Sequence, residues 1–166
     1  FPGISFGADV PTDGEVVFNP SMIGYPEALT DPSYRGQILP FTYPLIGNYG
    51  VPDRKKWESK KIWTNGVIVS SLTESCHQAL AKHSLPLWLE KEKIPFLVGV
   101  DTRSLTKILR ESGTMTGIIT LTDKIKTTKQ HFSNQTTNQN LVAAVSISQK
   151  KIYGRGSKKV ILVDCG

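Results

Sequence analysis

The chain has 166 residues, and 39% of them are hydrophobic. A chain of that length buries about two-thirds of its unfolded surface, so its core needs no covalent staples, and two cysteines exclude a disulfide-rich scaffold. Twenty Lys and Arg against fourteen Asp and Glu give a net charge of +6, which suits an acidic protein partner, nucleic acid or an anionic membrane surface alike. The longest apolar runs, Ile94–Val100 and Val160–Val163, are too short to span a bilayer as a helix. Phe1-Pro2-Gly3 has neither the basic start nor the apolar core of a signal peptide, and with no initiator Met it points to a processed or excised piece.

In chain order, Gly14 to Pro20 reads as a short strand stopped by Asn-Pro. From Gly24 to Gly50 a turn-former recurs every few residues. Within that stretch Gln37 to Tyr43 is a strand, with Pro40 arguing for an edge or a bulge. Thr30-Asp31-Pro32-Ser33-Tyr34 is a turn with Pro at its favoured second position. A basic loop follows from Asp53 to Lys61, carrying Arg54, Lys55, Lys56, Lys60 and Lys61 around Trp57, and then Val67–Val69 reads as a buried strand.

The middle alternates helix and strand. Leu85, Trp88 and Leu89 share one helical face, with Ser84 as the cap. Ile94 to Val100 is the next strand. Asp101 caps a helix whose core face is Leu105, Ile108 and Leu109, and Gly113 ends it. Thr116 to Leu121 is a further strand. Asp123 to Asn140 is polar, rich in Lys, Thr, Gln and Asn. Leu141 to Ile147 returns to strand character, Tyr153 to Ser157 is a turn, and Lys158 to Gly166 closes the chain on an apolar run. That last run is either an ordinary C-terminal strand or the first buried strand of a following α/β domain.

The residues that could carry chemistry are sparse. His77, His83 and His131 are scattered, and no CxxC, HxxxH or HExxH spacing occurs, so no metal site is expected. Cys76 and His77 are sequence neighbours, which on a helix point about 100° apart and form no pair. Cys165 has no local histidine, so both thiols read as structural. Gly154-Arg155-Gly156 precedes a strand rather than a helix and is no phosphate loop. Trp57 and Trp63 among lysines could stack bases, but Asp53 and Glu58 interrupt the basic stripe. The residues by themselves describe a domain of mixed α and β content without a self-contained active site, which makes docking its expected work and a basic nucleic-acid-binding module the alternative.

A resemblance extends this. Gly14–Asn19, Gly24–Tyr34, Gly36–Leu39, Tyr43–Gly50, Gly99–Lys107 and Val163–Gly166 occur in the order and approximate spacing of the small-subunit N-terminal domain of carbamoyl-phosphate synthase, and the resemblance covers nearly the whole chain. It implies an α/β fold, a swivelling β/β/α three-layer sandwich with mixed sheets, over residues 1–157. Residues 158–166 would then be the first strand of a class I glutamine amidotransferase domain. That second domain would hold the Cys nucleophile and its His–Glu partners, so Cys165 lies at the hinge and is not the nucleophile.

The resemblance implies no catalytic, cofactor or metal residue in this domain. It implies one substrate contact, from Ser33 to bound glutamine; the alternative is that Ser33 simply completes the Asp-Pro turn. The whole enzyme would be a ligase that takes ammonia from glutamine and passes it to a synthetase part using bicarbonate, two ATP and Mg. The implied partners are that synthetase part and the glutaminase domain, with neither nucleic acid nor membrane among them. Gly113-Thr114-Met115 and Ile152–Gly156 resemble the mitochondrial urea-cycle form, whereas Tyr43–Gly50 resembles the cytosolic pyrimidine form. Cytoplasm is therefore the expected compartment, the mitochondrial matrix the alternative, and both pathways stay open.

Overall fold

The structure, a computed structural model, describes residues 1–73, 81–120 and 140–165. Among the described residues, six strands form one mixed sheet: β1 (Ile4–Ser5), β2 (Thr12–Val16), β3 (Gln37–Pro40), β4 (Gly66–Val69), β5 (Phe96–Val98) and β6 (Thr116–Ile119). Their order across the sheet is β1-β5-β4-β3-β2-β6. The inner pairs β2/β3, β3/β4 and β4/β5 are parallel, with Ile38 opposite Gly66 and Val67 opposite Phe96. The outer strands β1 and β6 run antiparallel to their neighbours. Among the described residues, four α-helices accompany the sheet: α1 (Tyr25–Thr30), α2 (Leu85–Lys91), α3 (Thr102–Ser112) and α4 (Leu141–Val145).

The central strands β3 and β4 are mostly apolar on both faces, as suits a parallel pair covered on both sides, whereas β2 carries Asp13 and Glu15. Leu39, Val67, Val69 and Phe96 pack with Tyr25 and Leu29 of α1 and with Leu85, Trp88 and Leu89 of α2. Ile38, Ile68, Val100 and Ile119 form a second cluster, against which Leu105 of α3 is laid. Adjacent residues such as Ile38 and Leu39 thus enter different cores, following the two-residue period of a strand. The result is the α/β sandwich with a mixed sheet that the sequence implies.

Several boundaries shift. β2 ends at Val16 rather than Pro20, although Val17 N–H still donates to Ile38 O at 3.0 Å and Asn19 makes a parallel bridge with Phe41. β5 is shorter than the apolar run 94–100. Pro40 sits in neither an edge strand nor a bulge. It is the last residue of the interior strand β3, where the ladder continues through its carbonyl, which accepts from Asn19 N–H at 2.8 Å, and through Phe41 N–H, which donates to Ile68 O at 2.9 Å.

The stretch 141–147 is not a strand. Leu141–Val145 is helical because Asn140 caps it, its side-chain oxygen accepting from Ala143 N–H at 3.0 Å and its carbonyl from Ala144 N–H at 3.2 Å. The closing strand at 158–166 is likewise absent among the described residues. Lys158–Cys165 joins no strand ladder, and Val160–Val163 are 75–95% exposed. Cys76, His77 and His131, with the polar stretch up to residue 139, lie outside the described residues.

Candidate functional site

Ser33 lies on the short connection between α1 and β3, in a single 3-10 turn, Pro32–Tyr34. Asp31 starts that turn: its carboxylate accepts from Ser33 N–H at 2.8 Å, and its carbonyl accepts from Tyr34 N–H at 3.2 Å. Pro32 supplies a fixed φ and needs no donor partner there. The Ser33 side chain is exposed, and its hydroxyl makes no hydrogen bond among the described residues. The Asp-Pro turn is therefore completed by the backbone of Ser33 and the side chain of Asp31, which leaves the hydroxyl uncommitted.

The turn is held from three sides. Thr30 is fully buried; its hydroxyl donates to Pro26 O at 2.8 Å and accepts from Glu58 N–H at 3.1 Å. Ser59 Oγ donates to Thr30 O at 2.7 Å and in turn accepts from Trp63 Nε1–H at 2.7 Å. On the other side, the Tyr34 hydroxyl takes a hydrogen bond from Asn19 Nδ2 at 3.3 Å. At the start of α1, Tyr49 Oη accepts from Gly24 N–H and from Tyr25 N–H, the latter at 3.0 Å, and its ring stacks on Tyr25 at 4.3 Å between centroids. Burial pushes the Tyr49 phenol up from its ordinary value; the two backbone donors oppose that shift, and the nearby charge of Glu27 adds to it. One buried carboxylate oxygen of Glu27 has no hydrogen-bond partner among the described residues.

Thr30, Tyr49 and Glu27 were not singled out in the sequence. Thr30 and Glu58 are 28 residues apart and Tyr25 and Tyr49 are 24 apart, so no local spacing signals these contacts. The recurrence of Gly24-Tyr25 and Tyr49-Gly50 at the two ends of the turn-rich stretch was the available hint.

The other sequence candidates are dispersed. Cys165 is a free, exposed thiol, and His83 lies in an antiparallel bridge with Val51. No group of three metal-ligating side chains occurs among the described residues. Gly154–Ser157 is exposed and irregular. Trp57 is tilted against Trp88 at 4.9 Å, and Trp63 has Lys61 Nζ 4.0 Å and the Arg35 guanidinium 5.3 Å from its ring centre, so the protein's own side chains engage both indoles of the basic stretch. No helix among the described residues is long and apolar enough to cross a membrane.

These features define a small α/β domain whose exposed, rigidly held polar turn leads directly into an interior strand. The profile of the family described as carbamoyl-phosphate synthase small chain, CPSase domain, matches residues 1–119, and the chain belongs to that family. It is 45% identical to human carbamoyl-phosphate synthase [ammonia], mitochondrial, over 99% of this chain and 11% of that protein. It is 41% identical to the carbamoyl phosphate synthase small chain of Sulfolobus acidocaldarius, over 99% of this chain and 46% of the relative. To the arginine-specific small chain of Saccharomyces cerevisiae it is 42% identical, over 100% of this chain and 43% of the relative. The chain thus spans less than half the length of each of these relatives.

Proposed function

We propose that this domain holds the glutaminase part of a carbamoyl-phosphate synthase against its synthetase part, and that Ser33 reaches the glutamine bound in the neighbouring domain. The whole enzyme would make carbamoyl phosphate from glutamine or ammonia, bicarbonate and two ATP, with ATP and Mg bound in the synthetase part and no cofactor in this domain. The names of the relatives span an ammonia enzyme and an arginine-specific one, and the reading keeps arginine or urea synthesis and pyrimidine synthesis as its alternatives. The compartment is the cytoplasm, with the mitochondrial matrix as the alternative, a reading that the word mitochondrial in the human relative's name supports. Residues 158–166 would form the first strand of the amidotransferase domain, which would supply the ladder that Lys158–Cys165 does not join here.

The observation that carries the reading is the state of Ser33. Its backbone is locked by Asp31 while its hydroxyl stays exposed and unbonded. A hydroxyl held in place, able both to donate and to accept, suits the amide of glutamine and costs little ordering on binding.

The test is Ser33→Ala in the parent enzyme. A neutral hydrogen bond is worth about 0.5–1.5 kcal/mol, so KM for glutamine should rise roughly two- to tenfold. The ammonia-dependent rate should stay unchanged, since ammonia bypasses the glutaminase. An unchanged glutamine KM would remove Ser33 from the substrate site. An equal fall in both rates would mean that the turn only holds the domains together.

A further inference from the structure

A second concave surface lies away from Ser33, between the basic loop and α2. It encloses about 240 Å³ and is walled by Trp57 and Trp88. Its geometry follows from three local structures. Asp53 caps the 3-10 turn Arg54–Lys56, its carboxylate accepting from Lys55 N–H at 3.0 Å. Val51 pairs with His83, its N–H donating to His83 O at 2.9 Å and its carbonyl accepting from Lys82 N–H at 2.8 Å, which brings Lys82 and His83 to the rim. Lys91, the last residue of α2, and Glu92, its C-cap, follow Trp88 by three and four residues and so lie on its side of the helix.

The pocket is rich in donors. Arg54, Lys82 and Lys91 line it together with His83, against the carboxylates of Asp53 and Glu92. The two indoles differ. Trp57 Nε1–H donates to Pro52 O at 3.1 Å, whereas Trp88, only 2% exposed, has its Nε1–H buried with no acceptor among the described residues. A buried unpaired donor costs roughly 1–3 kcal/mol, and here it belongs to a residue that lines a pocket ringed by cations.

We propose that this pocket binds the phosphate group of a small molecule, with Trp88 Nε1–H as one donor and Arg54, Lys82 and Lys91 as the charged ones. A tetrahedral group with several acceptor oxygens uses donors converging from different sides, and the guanidinium and ammonium groups complement its charge.

The test is titration of the 15N-labelled chain with inorganic phosphate, at ionic strength matched by sodium chloride. The three tryptophans give three indole N–H resonances. The Trp88 resonance should shift saturably, while that of Trp63, already bonded to Ser59, should stay in place. Lys91→Gln should keep the fold and weaken the phosphate Kd by up to about fivefold, as expected for the loss of one solvent-exposed charged donor. Trp88→Phe should keep the aromatic packing and weaken the phosphate Kd, read from neighbouring backbone amides, by roughly two- to tenfold. A Trp88 resonance that responds to chloride or acetate as strongly as to phosphate would overturn the assignment. So would an affinity that is the same in both variants as in the parent chain.

Discussion

Short side chains that bond their own backbone start four of the helical segments among the described residues. Asp31, Asp53, Asp101 and Asn140 each accept from an N–H two or three residues ahead, at 2.8–3.0 Å. Asp101 goes furthest, because its second oxygen also accepts from the Ser104 hydroxyl at 2.7 Å. The Ser104 backbone N–H, and then its hydroxyl, hold the Asp101 carboxyl below its ordinary 3.8; the Arg103 backbone and Lys107 add to this. A depressed carboxylate stabilises the fold above its unfolded pKa, and that contribution is lost as pH falls through the folded one. Asp101→Ala should therefore lower Tm by a few degrees at neutral pH. The difference from the parent chain should shrink once the pH falls below 3.8, as thermal melts between pH 7 and pH 3 would register. A gap independent of pH would mean that the substitution harms the fold by some route other than the lost cap. Contacts of this kind are legible in a sequence, since cap and helix start lie within three residues of each other. Ser84 marks the limit of that legibility. It stands at the predicted start of α2, yet its side chain makes no capping bond.

At the scale of elements, α3 shows how far periodicity reaches. The spacing predicts a core face of Leu105, Ile108 and Leu109. Leu109 is 6% exposed and Leu105 packs on the second cluster, but Ile108 is 39% exposed. A helix can bury positions i, i+3 and i+4 together, as α2 does with Leu85, Trp88 and Leu89, but α3 turns its face toward Leu105 and Leu109 and leaves Ile108 at the edge. Thr102 takes the remaining buried position at 3% exposure, one turn before Leu105 and Thr106. The two neighbours should therefore respond differently to truncation. Leu109→Ala should cost about 2–4 kcal/mol in urea unfolding, and Ile108→Ala well under about 1 kcal/mol. Equal costs would mean that Ile108 packs as the spacing implies. The pattern was least informative at 141–147, where Val and Ile suggested a strand. A strand needs a partner ladder, whereas a single turn of helix needs only its cap, and Asn140 provides one. The network around Ser33 was illegible for a different reason: Thr30 meets Glu58 and Ser59, and Tyr49 meets Gly24 and Tyr25, only after the chain has folded back from some 24–29 residues away.

At the scale of the molecule, the body and the C-terminal stretch obey different rules. In the body, strands 37–40 and 66–69 alternate between two cores and leave few apolar side chains bare. At the C-terminal stretch, Val160, Ile161, Leu162 and Val163 are 95%, 88%, 91% and 75% exposed, in four consecutive positions. Burying one such side chain is worth about 1.5–3 kcal/mol, so the run is a strong and unspent driving force for association. Its backbone also joins no ladder, which favours pairing with another extended segment. The isolated chain should therefore self-associate as its concentration rises. Replacing Ile161 and Val163 with Glu should suppress that association, as measured by light scattering, because two charges interrupt the apolar run. Tm at low concentration should stay within about 2 °C of the parent chain, since surface substitutions away from packed contacts change stability by at most about 0.5 kcal/mol. The pairing of the two measurements is decisive. Reduced scattering with an unchanged Tm places the run on the outside of this domain, free to join a sheet elsewhere. A Tm lowered by several degrees would instead mean that the run packs on the body, and would remove the basis for reading residues 158–166 as a strand awaiting its partner.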